Sequence, residues 1–228
     1  MNIALVLAAG SGVRMNNSQP KQFLLVNEKP LFVFSVEAFQ KNENINAIII
    51  ATNKECVEQV KNWCNQYQLD KVKAVIAGGE TRQASVYNGL KEIEKFADSK
   101  DLVLIHDSAR PLVSQRIIND NIELGQKYGA VDTVIQASDT IVNSKNEETI
   151  NEILNRSELY QTQTPQTFEF GIIKKAHDRA LQDNVPNVTD DCKLAMHFGV
   201  DVHFAQGDKL NFKVTTPEDL EMFKALVK

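Results

Sequence analysis

Cysteine is scarce in this chain. The three present in 228 residues, Cys56, Cys64 and Cys192, are odd in number and follow no framework spacing. They point to free thiols in a reducing compartment rather than a disulfide scaffold. Cys56 and Cys64 fall in a helical pattern with no histidine-rich segment beside them, so a zinc site is not expected. Long hydrophobic runs are missing too. No stretch approaches the ~20 apolar residues that span a bilayer, and the first apolar run is too short for the core of a secretory signal. A cytoplasmic protein with no membrane partner is expected. Positive charge is not in excess: 25 Lys and Arg face 30 Asp and Glu, a net charge of −5. That balance argues against a nucleic-acid binder held by bulk charge. Low-complexity linkers and internal repeats are absent, and residues 1–228 read as one domain with a core of ordinary size.

Two familiar nucleotide-binding templates are also lacking. Gly10 and Gly12 are not followed by Gly-Lys-Ser/Thr, and Met15 stands where the dinucleotide fingerprint needs a third Gly or Ala. What is present is a short apolar run at residues 3–7, a small-residue loop of Ala8, Ala9, Gly10, Ser11 and Gly12, then Arg14, Pro20 and Lys21. Small residues let backbone N–H groups approach a ligand, and two cations nearby suit a polyphosphate.

Beyond this loop, short apolar runs alternate with amphipathic segments. Strands are expected at 3–7, 45–51, 72–77, 101–106 and 130–136. Helices are expected at 30–39, 54–67, 81–96 and 115–128. The alternation predicts an α/β fold, a mainly parallel sheet flanked by helices. The rhythm changes over 138–164. Strand-like pieces at 140–142, 149–150 and 159–161, separated by polar turns, read as a β-arm projecting from the sheet and packing on a second subunit as a homodimer. Helices at 170–181 and 189–198, strands at 202–205 and 211–214, and a helix from Pro217 close the chain. Thr216-Pro217-Glu218-Asp219 is a strong helix start.

In an open parallel sheet, ligands bind beyond the carboxyl ends of the strands, so polar motifs there are the candidates. Gly78-Gly79-Glu80-Thr81-Arg82-Gln83-Ala84-Ser85 follows one strand. Its glycines suit a close backbone turn, and Ser85 offers a hydroxyl. Arg82 alone reads as a solvated surface residue. His106-Asp107-Ser108-Ala109-Arg110-Pro111 follows another. Asp107 there is either a ligand for metal or hydroxyl or the partner of Arg110; a magnesium ion on substrate phosphates needs only one or two carboxylates. His106 reads as satisfied by backbone rather than as a general base. His177, His197 and His203 share no spacing and read as surface or core-edge residues. Arg156, Thr164, Thr189 and Lys213, scattered late in the chain, form a second anionic pocket only if the fold gathers them.

These motifs resemble one family. Leu-Ala-Ala-Gly-Ser-Gly-Val-Arg-Met at 7–15, Pro-Lys-Gln-Phe at 20–23, the Gly-Gly motif at 78–90 and His-Asp-Ser-Ala-Arg-Pro at 106–111 run in the order of the CDP-polyol-forming cytidylyltransferases. So do Gln-Thr-Pro-Gln at 163–166, Thr-Asp-Asp at 189–191 and Lys-Val-Thr-Thr-Pro-Glu-Asp-Leu at 213–220. The nearest branch is the 2-C-methyl-D-erythritol 4-phosphate cytidylyltransferase family of isoprenoid precursor synthesis. The resemblance implies a Rossmann-like nucleotidyltransferase fold and transfer of CMP from CTP to a polyol phosphate, with pyrophosphate released and a divalent cation, Mg2+, as cofactor. It implies that Ala8, Ala9, Gly10, Ser11, Gly12, Gly79, Glu80 and Ser85 hold CTP. Arg14 and Lys21 would neutralise charge at the α-phosphorus. Arg156, reaching from a neighbouring subunit, and Lys213 would grip the acceptor phosphate. Asp107, Arg110, Thr140, Thr164 and Thr189 would line the acceptor pocket, with Asp107 near the metal. The segments 130–135, 139–142 and 160–161 look more like the sister family that makes CDP-ribitol from ribitol 5-phosphate, so that acceptor stays open beside methylerythritol phosphate. A catalytically inactive nucleotide-binding protein is the third reading, since fold does not fix function.

Overall fold

The first apolar run becomes the middle of a sheet. A computed structural model describes residues 1–10, 20–185 and 188–227. In chain order the elements are β1 (Asn2–Ala8), the short ribbon β2 (Leu25–Val26) and β3 (Lys29–Pro30), α1 (Leu31–Lys41), β4 (Ala47–Thr52), α2 (Val57–Gln66), β5 (Val72–Ala77), α3 (Arg82–Ile93), β6 (Leu102–Asp107) and α4 (Gln115–Tyr128). They continue with β7 (Ala130–Gln136), the pair β8 (Val142–Asn143) and β9 (Glu152–Ile153), β10 (Tyr160–Glu169), α5 (Phe170–Gln182), α6 (Asp191–His197), β11 (His203–Gln206) and α7 (Pro217–Leu226). Seven strands form one sheet in the order β11-β7-β10-β6-β1-β4-β5. β1, β4, β5 and β6 are parallel, and β10 runs antiparallel to both of its neighbours.

Side chains of a strand alternate between faces, and β1 shows the consequence. Ala4, Val6 and Ala8 join the core under α1, α2 and α4. Ile3 and Leu5 join the core under α3, α5 and α6. The sheet is thus covered on both sides, which is why its strands read as continuous apolar runs. From β1 the chain builds outward through β4 and β5, then returns to place β6 on the other side of β1. Connections leave β1 and β6 in opposite directions, and a crevice opens at that switch point beyond the strand ends.

The structure corrects several boundaries. The segment 211–214 is not a strand: it pairs in no ladder, and Val214 N–H donates instead to the Ala109 carbonyl at 2.8 Å. Residues 149–150 are not a strand either; the partner of β8 is β9, three residues on. The piece at 159–161 is the start of the ten-residue β10. The helix at 81–96 stops at Ile93, and the one at 54–67 opens with a turn of 3-10 helix over Lys54–Cys56. β10 is a polar strand in the middle of a sheet. Gln163, Thr164, Gln166 and Thr167 are all buried. The ladder shifts register between Thr162 and Gln166, which places Pro165 where no N–H is needed.

Candidate active site

The first loop leaves β1 at Ala8, and one buried side chain closes its two ends. Gln22 Nε2 donates to the carbonyls of Ala8 at 2.8 Å and Gly10 at 3.0 Å. Gln22 lies in the single turn Lys21–Phe23, so that turn and the end of β1 are tied together. Lys21 Nζ donates to the Val214 carbonyl at 2.9 Å, which ties the same turn to the segment before α7. Arg14, Ser11 and Gly12 lie outside the described residues.

At the end of β5, a Cβ on Gly78 would stand 2.8 Å from Ser85 Oγ and 2.9 Å from Ala9 Cβ; one on Gly79 would stand 2.4 Å from Ala84 Cβ. The two glycines therefore let this turn lie against both the first loop and the head of α3. Thr81 caps α3 by accepting from Ala84 N–H at 3.0 Å. Ser85 Oγ donates to the Thr81 carbonyl at 2.9 Å and accepts the Gly79 N–H at 3.0 Å, so its hydroxyl shapes the glycine turn from within the helix.

Asp107 ends β6. Its Oδ2 accepts from Lys213 Nζ at 2.6 Å, and its Oδ1 lies 3.5 Å from Arg82 Nε. Burial pushes the carboxyl up, but Lys213 and Arg82 beside it hold it well below the usual carboxylate range. Behind it, the Asp107 N–H donates to Thr164 Oγ1 at 3.1 Å, and Thr164 Oγ1 lies 3.0 Å from His106 Nδ1. His106 Nε2 donates to the Arg110 carbonyl at 3.1 Å, which leaves Nδ1 as the acceptor for the threonine hydroxyl. Complete burial pushes the imidazole down to about 4, so it is neutral and fully bonded. Arg110 crosses to the Asn211 and Thr162 carbonyls at 2.8 and 3.4 Å.

Ala9, Gly10, Lys21, Gly79, Glu80, Ser85, Asp107 and Lys213 line one cavity of about 420 Å³ at the switch point. Ala8 lies beneath it, its carbonyl taken by Gln22 and Thr52. Thr164 is buried behind Asp107, with Arg110 alongside. Thr140, Arg156 and Thr189 are exposed and do not line this cavity. Arg156 belongs to the turn Arg156–Glu158 and donates to the Ser138 carbonyl at 3.0 Å.

Arg82 lines the cavity as well, and sequence reasoning passed it over as a surface charge. Its Nη1 donates to Asp191 Oδ2 at 2.5 Å. Burial alone would lower its affinity for the proton, but Asp191 and Asp107 raise it further than burial depresses it. One signal was available. Arg82 is the first residue of α3, where the helix dipole repels a cation, so an arginine there needs carboxylate partners. Gln22, another lining residue outside the expected set, carries no such sign.

The residues facing the cavity offer a metal little. Asp107 and Glu80 are the carboxylates among them, and Asp107 already faces two cations. Among the described residues no group of three His, Cys, Asp or Glu stands ready to hold an ion. This donor set fits a cation carried on phosphate oxygens with one protein carboxylate beside it.

Comparison with known proteins gives a consistent result. Residues 2–228 match the family model described as IspD, 2-C-methyl-D-erythritol 4-phosphate cytidylyltransferase. A ribitol-5-phosphate cytidylyltransferase of Vibrio parahaemolyticus is 38% identical, covering 100% of this chain and 96% of the relative. A 2-C-methyl-D-erythritol 4-phosphate cytidylyltransferase of Clostridium novyi is also 38% identical, over 99% of this chain and 96% of the relative. The crystal structure of the Francisella tularensis enzyme of the latter name superposes with a TM-score of 0.84 at 30% identity, covering 99% of each chain. The mostly parallel sheet flanked by helices is thus the Rossmann-like fold of these enzymes. The chain belongs to the IspD, or 2-C-methyl-D-erythritol 4-phosphate cytidylyltransferase, family and is a nucleotidyltransferase.

Proposed function

We propose that the protein transfers CMP from CTP to a polyol phosphate, with 2-C-methyl-D-erythritol 4-phosphate as acceptor and isoprenoid precursor synthesis as its setting. The observation that carries the reading is the cavity at the switch point, where a glycine turn and three cations, Lys21, Arg82 and Lys213, converge. CTP is held by Ala8, Ala9, Gly10, Ser11, Gly12, Gly79, Glu80 and Ser85. An oxygen of the acceptor phosphate attacks the α-phosphorus, a new P–O bond forms, and the bond to pyrophosphate breaks. The nucleophile is already ionised, its second pKa being about 6, so no general base is needed. This agrees with a His106 that is neutral and bonded at both nitrogens. Catalysis then rests on positioning and charge. Arg14 and Lys21 balance charge developing at the α-phosphorus, and Lys213 orients the acceptor phosphate.

A divalent ion, Mg2+, would be carried mainly on the triphosphate oxygens and would supply charge balance there, with Asp107 the protein carboxylate that would help to hold it. Residues 138–164 act as the arm of a single domain that embraces a second subunit in the cytoplasm. Exposed apolar side chains there, Val142, Ile150 and Ile153, support an interface. From the arm, Arg156 reaches the neighbouring subunit's acceptor, and Arg110, Thr140, Thr164 and Thr189 complete that pocket. No helix among the described residues is long and apolar enough to cross a membrane.

Ribitol 5-phosphate is the second reading. It is favoured by residues 130–135 and by a relative of that name as similar as the methylerythritol one. An inactive nucleotide-binding protein is disfavoured by the converging cations, which binding alone does not require. The deciding experiment compares kcat/KM for the two acceptors by pyrophosphate release. A higher value with ribitol 5-phosphate replaces the first reading by the second, and release with neither removes both.

A further inference from the structure

Two buried side chains behind the cavity have no part in the reaction as described. Asp191, at the head of α6, is 2% exposed, and His177, on α5, is 1% exposed. Asp191 Oδ2 accepts from Arg82 Nη1 at 2.5 Å, and Oδ1 accepts from His177 Nε2 at 3.0 Å. Its backbone N–H donates to Gln166 Oε1 at 3.3 Å, so the carboxylate is held from two sides and the backbone beneath it from a third. Arg82 thus stands between two carboxylates. It gives its short bond to Asp191, which does not line the cavity, and a 3.5 Å contact to Asp107, which does. That contact is too long for a hydrogen bond. The Asp107–Lys213 pair, at 2.6 Å, is the tight one.

A guanidinium released from Asp191 would offer Asp107 a two-pronged partner, which a carboxylate prefers to a single ammonium. Lys213 would then lose its anchor. We propose that Asp191, steadied by His177, is a positioning residue: it restrains Arg82 so that Asp107 stays with Lys213 and aims that ammonium at the acceptor phosphate. The inference rests on the acceptor-gripping role of Lys213 proposed above.

The test is steady-state pyrophosphate release with CTP and acceptor varied separately. Asp191→Asn raises the acceptor KM by about tenfold while the CTP KM moves by less than about threefold. His177→Phe moves the acceptor KM in the same direction by about threefold, and His177→Gln, which keeps an N–H donor at that place, returns it to within about twofold of the parent. In a Lys213→Ala background, Asp191→Asn adds less than about twofold, because the two changes act through one contact. A merely structural role would raise both KM values together and would not be rescued by glutamine. Equal rises in both, or an undiminished effect in the Lys213→Ala background, overturns the inference. If Asp191→Asn fails to fold, the His177 pair decides by the same split. Failure of the unmodified enzyme to release pyrophosphate with either acceptor overturns the underlying function and this inference with it. Normal release without the split overturns this inference alone.

Discussion

Lys21 opens the turn that follows the first loop, and its bond to the Val214 carbonyl holds its charge at the cavity wall. A charge placed before substrates arrive stabilises most where new charge develops. Lys21→Ala is therefore expected to lower kcat by about 10²–10³ while weakening CTP binding by less than about tenfold. Turnover and calorimetric CTP titration check this, and equal losses in both would remove the role. Two other buried groups oppose each other in pH. His106 is depressed to about 4 by burial, so the unfolded chain takes up that proton first and stability is lost as pH falls from about 6.5 to about 4. Asp132, 4% exposed, is pushed up to about 7 by burial despite Gln166 beside it. There the folded chain takes up the proton first, and stability is gained as pH falls from about 7 to about 4. Asp132→Asn should accordingly stabilise the protein by about 2–4 kcal/mol at pH 8, with the gain gone near pH 4. Urea unfolding across that range tests it; a gain that does not change with pH would assign it to packing instead.

Among the elements, the junction of β5 and α3 is tightly constrained. An added methyl at Gly79 meets Ala84 Cβ at 2.4 Å and the Ala84 backbone carbon at 3.1 Å, so the helix head itself must move. Gly79→Ala is expected to cost about 1–3 kcal/mol of stability and to weaken CTP binding by about tenfold or more; unchanged CTP affinity would show that the turn does not touch the nucleotide. This junction was legible beforehand because Gly-Gly followed a strand and preceded a capped helix. The parallel strands were legible for a related reason: two covered faces leave no polar positions in Ile48, Ile49 and Ile50. β10 was not. Its Gln163, Thr164 and Gln166 look solvated, yet they are satisfied inside by Asn211, His106 and Asp132, partners far away in the chain. The misread strand at 211–214 fails for the same cause. Asn211 donates to Gln163 Oε1 and to the Thr164 carbonyl, so a side chain does there what a ladder would do. Local patterning reports apolar periodicity and turn chemistry, and is silent on polar groups that find each other across the fold.

At the scale of the whole molecule, the two cations proposed to grip the acceptor phosphate do not share one cavity within a chain. Lys213 lines the cavity, while Arg156 is exposed in the arm. If the arm completes a neighbour's site, Arg156→Ala and Lys213→Ala subunits should each be weak in acceptor use and should rescue one another when mixed. A mixed dimer rebuilds one intact site in two, so random exchange restores about a quarter of full activity. Sedimentation alongside the assay confirms that dimers have formed, and no recovery in exchanged dimers would confine Arg156 to its own chain. The Gln22 amide has an effect of a different kind. By fastening the Ala8 and Gly10 carbonyls to the turn at Lys21–Phe23, it makes the intervening residues a cassette with a clasp. The sheet is insulated from whatever length or composition that cassette carries, because lengthening a loop whose ends are already closed adds little further entropy cost. A segment exchanged between relatives at these two borders should leave the scaffold's stability as it was, which urea unfolding of the chimera would check.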